Sequence, residues 1–293
     1  MPVATVIIPT FDHGPTLLYS VGSALAQTVE DLEIFIIGDG VPAVTREIVA
    51  GLMSRDGRVR FFDHPKGPRH GEVYRHEALA EARGEIVCYL SDDDLWTPEH
   101  VETMLRLLRD SDFAHTLPVC VDDCGRLFGP LLDLSLPRER RLVLAGRKNA
   151  SLSSMGHTLE MYRRLPFGWR TTPRGVPTDG YMQQQFLAQP DCRAASCTRP
   201  TTVHFMSPAR VHWSLEERVA ELGRWRQKFA EAQGRAEFNL EVLDSVIRAH
   251  VRTMEAVELS PAWRVRESLL RLPVVGRLLR ATARAAAAST RQA

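Results

Sequence analysis

The chain has 293 residues, 44% of them hydrophobic and 25% charged, with a net charge of +1. That composition belongs to a globular protein that buries a sizeable core, and it excludes a disordered chain. Near-neutrality excludes a generally basic surface, so nucleic acid is not an expected partner.

The five cysteines are Cys88, Cys120, Cys124, Cys192 and Cys197. Met1-Pro2 leads straight into a strand-like segment, which reads as a chain without a secretory leader, and reduced cytoplasmic thiols fit best. Two half-sites for zinc at Cys120/Cys124 and Cys192/Cys197 are the less favoured reading, because their gaps miss C-x-x-C.

In chain order, ATVIIP (Ala4 to Pro9) is a short β-branched run suited to a strand covered on both faces. Leu17, Leu18, Val21, Ala24 and Leu25 then recur at helical spacing, and LEIFIIG (Leu32 to Gly38) reads as a second buried strand. Thr45 to Met53 predicts a helix, Arg58 to Phe62 a short strand, and Glu72 to Ala82 a helix stopped by Gly84 in the C-terminal capping position. EIVCYL (Glu85 to Leu90) is the next buried strand. Alternation of this kind implies a parallel, doubly wound sheet.

After Pro98, residues Glu99 to Leu108 form a helix with Val101, Met104, Leu105 and Leu108 inward. VCVDDCGRLFG predicts two short strands around an Asp-Asp-Cys-Gly turn. Phe167 to Thr178, with Gly168, Gly175, Pro173 and Pro177, is a loop. Helical patterning resumes at Asp179 to Ala188 and again from Ser214. The segment from Trp263 to Arg284 sets nine apolar residues among six arginines, with Glu267 its one acid. Such a basic amphipathic segment either lies on an anionic membrane surface or packs on the domain or a second subunit in a homodimer, and Pro273 would bend or divide it.

Ligands of an open parallel sheet bind at the carboxyl ends of its strands. Three places qualify: Pro9-Thr10-Phe11, Gly38-Asp39-Gly40, and Ser91-Asp92-Asp93-Asp94. Three consecutive carboxylates repel one another unless a cation or donor compensates, and a divalent ion is the simplest such compensation. Magnesium or manganese takes oxygen ligands and substrate phosphates together. An extended segment turns Asp92 and Asp94 to the same side, so Asp94 is expected on the metal, Asp92 on the ribose or metal, and Asp93 in support. Otherwise the acids would simply favour the N-terminus of the next helix.

The stretches VIIPTF (Val6 to Phe11), ALAQTVEDLEIFIIGDG (Ala24 to Gly40) and EARGEIVCYLSDDDLWTPEHV (Glu81 to Val101) resemble, in content and order, the family-2 glycosyltransferases of GT-A fold. The resemblance implies an α/β GT-A catalytic domain over residues 1–212, with a nucleotide-sugar half (1–110) and an acceptor half (111–212). A helical region follows at 213–293, ending in the basic tail 261–293.

The resemblance further implies a metal-dependent, inverting transfer of sugar from a nucleotide-diphosphate donor, UDP favoured over GDP or dTDP. The acceptor would be a glycan or lipid-linked hydroxyl in cell-envelope or polysaccharide synthesis, at the inner face of the cell membrane. Pro9, Thr10 and Phe11 match the turn against the nucleotide, and Asp39 the acid that binds the base. Arg75 matches a basic residue near the donor diphosphate, or is a solvated surface arginine. Two departures stand out, Gly38 and Ser91, at positions often acidic in the family; His76 also stands where asparagine is common.

Inversion needs one base at the acceptor. The family places it at the start of a helix after a flexible loop, which matches Asp179 in Thr178-Asp179-Gly180-Tyr181-Met182; an ordinary helix N-cap is the alternative. On the acceptor side, His157 would contact donor or acceptor, or be structural. Trp169 would stack on a sugar ring or join the core. His204 would meet the metal or phosphates, or be a satisfied structural histidine. A nucleotidyltransferase needs a Gly-rich basic loop after the first strand, and Thr10-Phe11-Asp12-His13-Gly14 is not one. A catalytically silent sugar-nucleotide-binding protein is the remaining alternative.

Overall fold

The computed structural model describes residues 1–272, in two compact units, Met1–Val242 and one beginning at Leu243. The first unit opens with β1 (Ala4–Thr10), α1 (Gly14–Leu25), β2 (Leu32–Asp39), α2 (Ala43–Arg55), β3 (Val59–His64), α3 (Glu72–Leu79) and β4 (Ile86–Tyr89). β1 lies between β2 and β4 and is parallel to both, and β3 adds in parallel to β2.

These strands are apolar on both faces because both are covered. Val6, Ile8, Ile34, Ile36 and Cys88 pack with Leu17 and Val21 of α1 and Val49 of α2. Ile7, Phe35, Ile37, Val87 and Tyr89 pack on the opposite side with Ala78 and Leu79 of α3.

β5 (Leu95–Trp96) and α4 (His100–Leu108) follow, then β6 (Phe113–His115), β7 (Pro118–Val121), β8 (Leu127–Phe128), α5 (Pro137–Leu144), β9 (Met155–Thr158), α6 (Leu159–Arg164), α7 (Thr178–Leu187), β10 (Ala194–Ser196), β11 (Thr202–Phe205) and α8 (Leu215–Ala230). The large sheet runs β10-β6-β9-β4-β1-β2-β3, mostly parallel, with β9 antiparallel to both neighbours. A four-stranded sheet, β5-β11-β7-β8, stands beside it. β7 and β8 make the expected hairpin, and Gly125 supplies its left-handed residue at φ 76°. The small sheet serves the site: β5 leaves the acidic run directly and pairs with β11, which carries His204.

Gly84 differs from expectation. α3 stops at Leu79 with Ala80 as its C-cap, so Gly84 does not cap it. Its constraint is tertiary: a Cβ there would sit 2.4 Å from Thr5 N and 2.5 Å from the Ala4 carbonyl carbon. Its N–H donates to Thr5 Oγ1 (3.1 Å) and to the buried Glu33 carboxylate (3.2 Å). Forcing a methyl against that backbone displaces β1 from β4. Gly84→Ala is expected to cost about 3 kcal/mol and to lower Tm by roughly 10 °C, checked by calorimetry.

The first unit also extends past the boundary expected at residue 212. α8 packs on α1, burying Leu222 and Phe229, and the unit continues into α9 (Ala232–Glu258). The second unit holds the rest of α9 and α10 (Pro261–Arg271), with Ile247, Val251, Val265 and Leu269 exposed. Residues 273–293, and with them most of the basic amphipathic tail and its Pro273, lie outside the described residues. Among the described residues no helix is long and apolar enough to cross a membrane.

Candidate active site

A cavity of about 640 Å³ opens at the carboxyl ends of β1, β2 and β4, where a parallel sheet is expected to bind its ligand. Pro9 and Thr10 line it from β1 and Phe11 from the residue after it, Asp39 from β2, Arg75 from α3, Asp92 and Asp93 from the turn after β4, and Asp179 from α7. The Thr10 hydroxyl is buried without a partner, and the Phe11 ring is 44% exposed at the mouth.

Asp39 is 6% exposed. Its carboxylate accepts from Lys66 Nζ at 2.5 Å and from Gly67 N at 2.6 Å. Lys66 also lies 5.2 Å over the Phe11 ring and donates to the Arg69 carbonyl at 2.9 Å. Gly40 is needed here twice over, having φ 74° and leaving only 2.7 Å between a would-be Cβ and Lys66. Lys66 went unnoticed in the sequence because nothing in the Pro65-Lys66-Gly67-Pro68 stretch signals that it returns to the end of β2.

The acidic run is a turn, with Asp94 N bonded to Ser91 O at 3.2 Å, and not the extended segment expected. The three carboxylates therefore splay. Asp92 faces His13 Nδ1 at 3.2 Å. Asp93 accepts from Arg218 Nη2 at 2.6 Å and Ser207 Oγ at 3.2 Å. Asp94, fully buried, accepts from Ser153 Oγ and from Phe205 N at 3.1 Å, and His204 Nδ1 lies 3.0 Å from both of its oxygens.

Each acid thus has a protein partner from a distant segment, which limits the repulsion between them. The Asp94 charge beside it raises His204 to about 9. Burial alone would push Asp94 up, but His204, Ser153 and the Phe205 amide hold it below the usual carboxylate range. Burial and the two neighbouring aspartates push Asp93 well up.

The donor set suits a divalent ion. The His204 nitrogen 3.0 Å from Asp94 is its charged hydrogen-bond partner, held protonated by that carboxylate, so the oxygens of the acidic turn are the atoms suited to a hard ion. His13, Asp92 and Asp93 bring three further donor atoms within 4.8 Å of one another.

Arg75 is not a surface residue. It is 4% exposed, with Nη2 donating to the His70 carbonyl at 3.2 Å and the guanidinium 4.9 Å over the Trp169 ring. Its Nε and Nη1 have no partner. Burial lowers its pKa, opposed by Glu72 and Asp179. The residue lines the cavity, and a buried guanidinium with unpartnered donors favours an anionic partner.

Asp179 sits in the first turn of α7, and Pro177 takes the N-cap position, so its carboxylate is not a helix cap. Oδ2 accepts from Leu152 N at 3.1 Å. Burial raises its pKa against the pull of Arg75 and His204, which moves a carboxylate toward useful basicity.

Two expected residues lie elsewhere. His157 is fully buried, its Nε2 2.7 Å from Tyr89 Oη and its ring stacked on Tyr162; burial pushes it down to about 3, so it is a neutral core group. Trp169 is 3% exposed and donates from Nε1 to the same Tyr89 hydroxyl at 2.8 Å. It supports Arg75 from behind and has no cavity face. Both corrections have one cause: Tyr89, the last residue of the apolar strand β4, needs hydrogen-bond partners in the core, and the sequence does not pair them.

The Glycosyl transferase family 2 profile matches residues 5–167, over half of the chain. The chain belongs to glycosyltransferase family 2. Within this family, 124 residues are 29% identical to the GalNAc(5)-diNAcBac-PP-undecaprenol beta-1,3-glucosyltransferase of Campylobacter jejuni, covering 41% of this chain and 39% of that protein. Another 131-residue match is 32% identical to chondroitin synthase of Pasteurella multocida, covering 44% of this chain and 13% of that one. The chain therefore spans less than half the length of these curated relatives. Among solved structures, S. aureus TarS 1-349 superposes with a TM-score of 0.57 at 15% identity, over 84% of this chain and 71% of that one. Its complex with UDP-GlcNAc gives 0.57 at 15% identity, over 70% and 59%. The likeness shows the GT-A fold of this family-2 chain.

Proposed function

We propose that the chain is a glycosyltransferase that moves a sugar from a nucleoside diphosphate to an acceptor hydroxyl with inversion, through the cavity between β1, β2 and β4. The observation that carries this reading is Arg75: a buried cation with two unpartnered guanidinium nitrogens, lining the same cavity as Asp39, Asp92 and Asp179. Nothing inside the protein satisfies those donors, and a diphosphate between the base site and Asp179 would.

In this reading the nucleobase lies against Phe11 and Asp39, and the diphosphate lies against Arg75 and the acidic turn. A magnesium or manganese ion held at the acidic turn by Asp94 and Asp92 would neutralise charge on the departing diphosphate. Asp179 accepts the acceptor's hydroxyl proton as its oxygen attacks the sugar carbon from the face opposite the diphosphate. The acceptor is read as a glycan or lipid-linked hydroxyl in envelope polysaccharide synthesis, in keeping with the activities of the relatives named above. Partitioning of labelled product between butanol and water separates the two.

Asp39 and Lys66 favour uracil. The uracil N3–H is a donor for Asp39, and the carbonyls on either side of it are acceptors for Lys66; adenine has no ring N–H flanked by two carbonyls. A charge-assisted hydrogen bond is worth about 1.5 kcal/mol or more. Lys66→Ala is therefore expected to weaken UDP binding roughly 10-fold in a thermal-shift titration. Equal ranking of UDP and ADP by the wild-type protein would contradict the base assignment.

A further inference from the structure

The loop that delivers Asp179 runs from Leu165 to Pro177 and contains Gly168 and Gly175, the latter at φ 79°. Its composition suggests a free lid. The structure shows it tied down at two places. At its start Trp169 N donates to Tyr162 Oη at 3.0 Å and Trp169 Nε1 to Tyr89 Oη. At its end it meets Glu72.

Glu72 is the first residue of α3 and is fully buried. A carboxylate is rarely buried to that degree without donors to hold it. Its donors come from two directions. Oε2 accepts from His70 N at 3.3 Å, within its own turn. Oε1 accepts from Thr172 N and from Thr178 Oγ1, each at 3.3 Å. One carboxylate oxygen thus joins the middle of the loop, the residue directly before Asp179, and the helix that carries Arg75 one turn further on.

We propose that Glu72 is a positioning residue, a latch that holds residues 172–178 against α3 and so sets Asp179 at the cavity facing the acceptor. Arg75 and Asp179 meet the two reacting partners in the proposed transfer, and Glu72 fixes their relative placement from behind without touching substrate. That part rests on the proposed role of Asp179; the latch itself does not.

The test is limited trypsin digestion of the full chain below its unfolding transition, followed by mass spectrometry. Arg170 and Arg174 lie in the loop and are exposed, and Arg55 and Arg109 at the ends of α2 and α4 serve as control bonds. Glu72→Ala is expected to speed cleavage after Arg170 and Arg174 about 10-fold or more with the control bonds unchanged, since local opening exposes only the released segment. Thr178→Val, which removes one of the three donors and leaves the buried carboxylate in place, is expected to give a smaller rise at the same two bonds. It keeps the question open to measurement if Glu72→Ala does not fold.

Wild-type rates at Arg170 and Arg174, or a rise shared equally by the controls, would overturn the latch. In transfer assays Glu72→Gln is expected to raise acceptor KM about 10-fold, with UDP affinity within about 3-fold of wild type. Selective proteolysis with an unchanged acceptor KM would leave a latch and overturn its role in positioning. Absence of any transfer by the wild-type protein would count against the proposed function while the digestion still decided the latch.

Discussion

Asp179→Asn is expected to lower glycosyl transfer about 1,000-fold and to leave UDP affinity within about 2-fold of wild type, because a positioned general base contributes roughly 100- to 10,000-fold to rate. Asparagine preserves the shape and can still accept from Leu152 N, which Asp179 Oδ2 does at 3.1 Å, so the loop and α7 keep their place. What is lost is the capacity to take a proton. The pH profile provides a second check. Burial raises the Asp179 pKa, and only the ionised form is a base, so activity falls as pH is lowered through that raised value. The acid limb of log kcat/KM is expected at a pH above the ordinary aspartate value of about 3.9 and to be absent from the residual activity of Asp179→Asn. Transfer by the variant at the wild-type rate would assign the base elsewhere.

Asp94→Asn is expected to abolish the manganese dependence of UDP binding, weakening affinity at saturating metal by about 100-fold. An amide at this position can still accept from Phe205 N through its one oxygen and donate from its NH2 to the Ser153 hydroxyl, the two groups that hold Asp94 from two sides. It cannot supply the charge that His204 and an ion both require. Loss of the Asp94 charge also removes the main cause that holds His204 at about 9, so the His204 titration followed by NMR should fall toward 6.5 in the variant. If Asp94 served only to tie β5 to β11, the variant would lower Tm and leave metal-dependent UDP affinity intact.

The parts of this architecture that are written locally were legible in the sequence. β1, β2 and β4 are short apolar runs ending in polar turns, and the rule that ligands gather at strand carboxyl ends brings Thr10, Asp39, Asp92 and Asp93 to one cavity. The family resemblance points to Asp179 at a helix start after a loop, and Asp179 does line this cavity. Residues whose partners are distant were not legible. His13 and Arg218 are 205 positions apart and meet over the acidic turn; Ser153 reaches Asp94 from a segment with no motif of its own. The antiparallel insertion of β9 between β4 and β6 decides that His157 faces the core, and a four-residue strand carries no periodicity from which to read that. Gly84 is the same lesson in the backbone: it sits where a helix cap is plausible, and its reason is the approach of β1.

Isothermal titration of the wild-type protein with UDP, with and without manganese chloride, addresses the central claim most directly: that this cavity is a metal-assisted nucleoside diphosphate site. Saturable one-to-one binding that tightens at least about 10-fold when manganese is added is the predicted result. No binding of UDP in either buffer, or the same affinity in both, would contradict it.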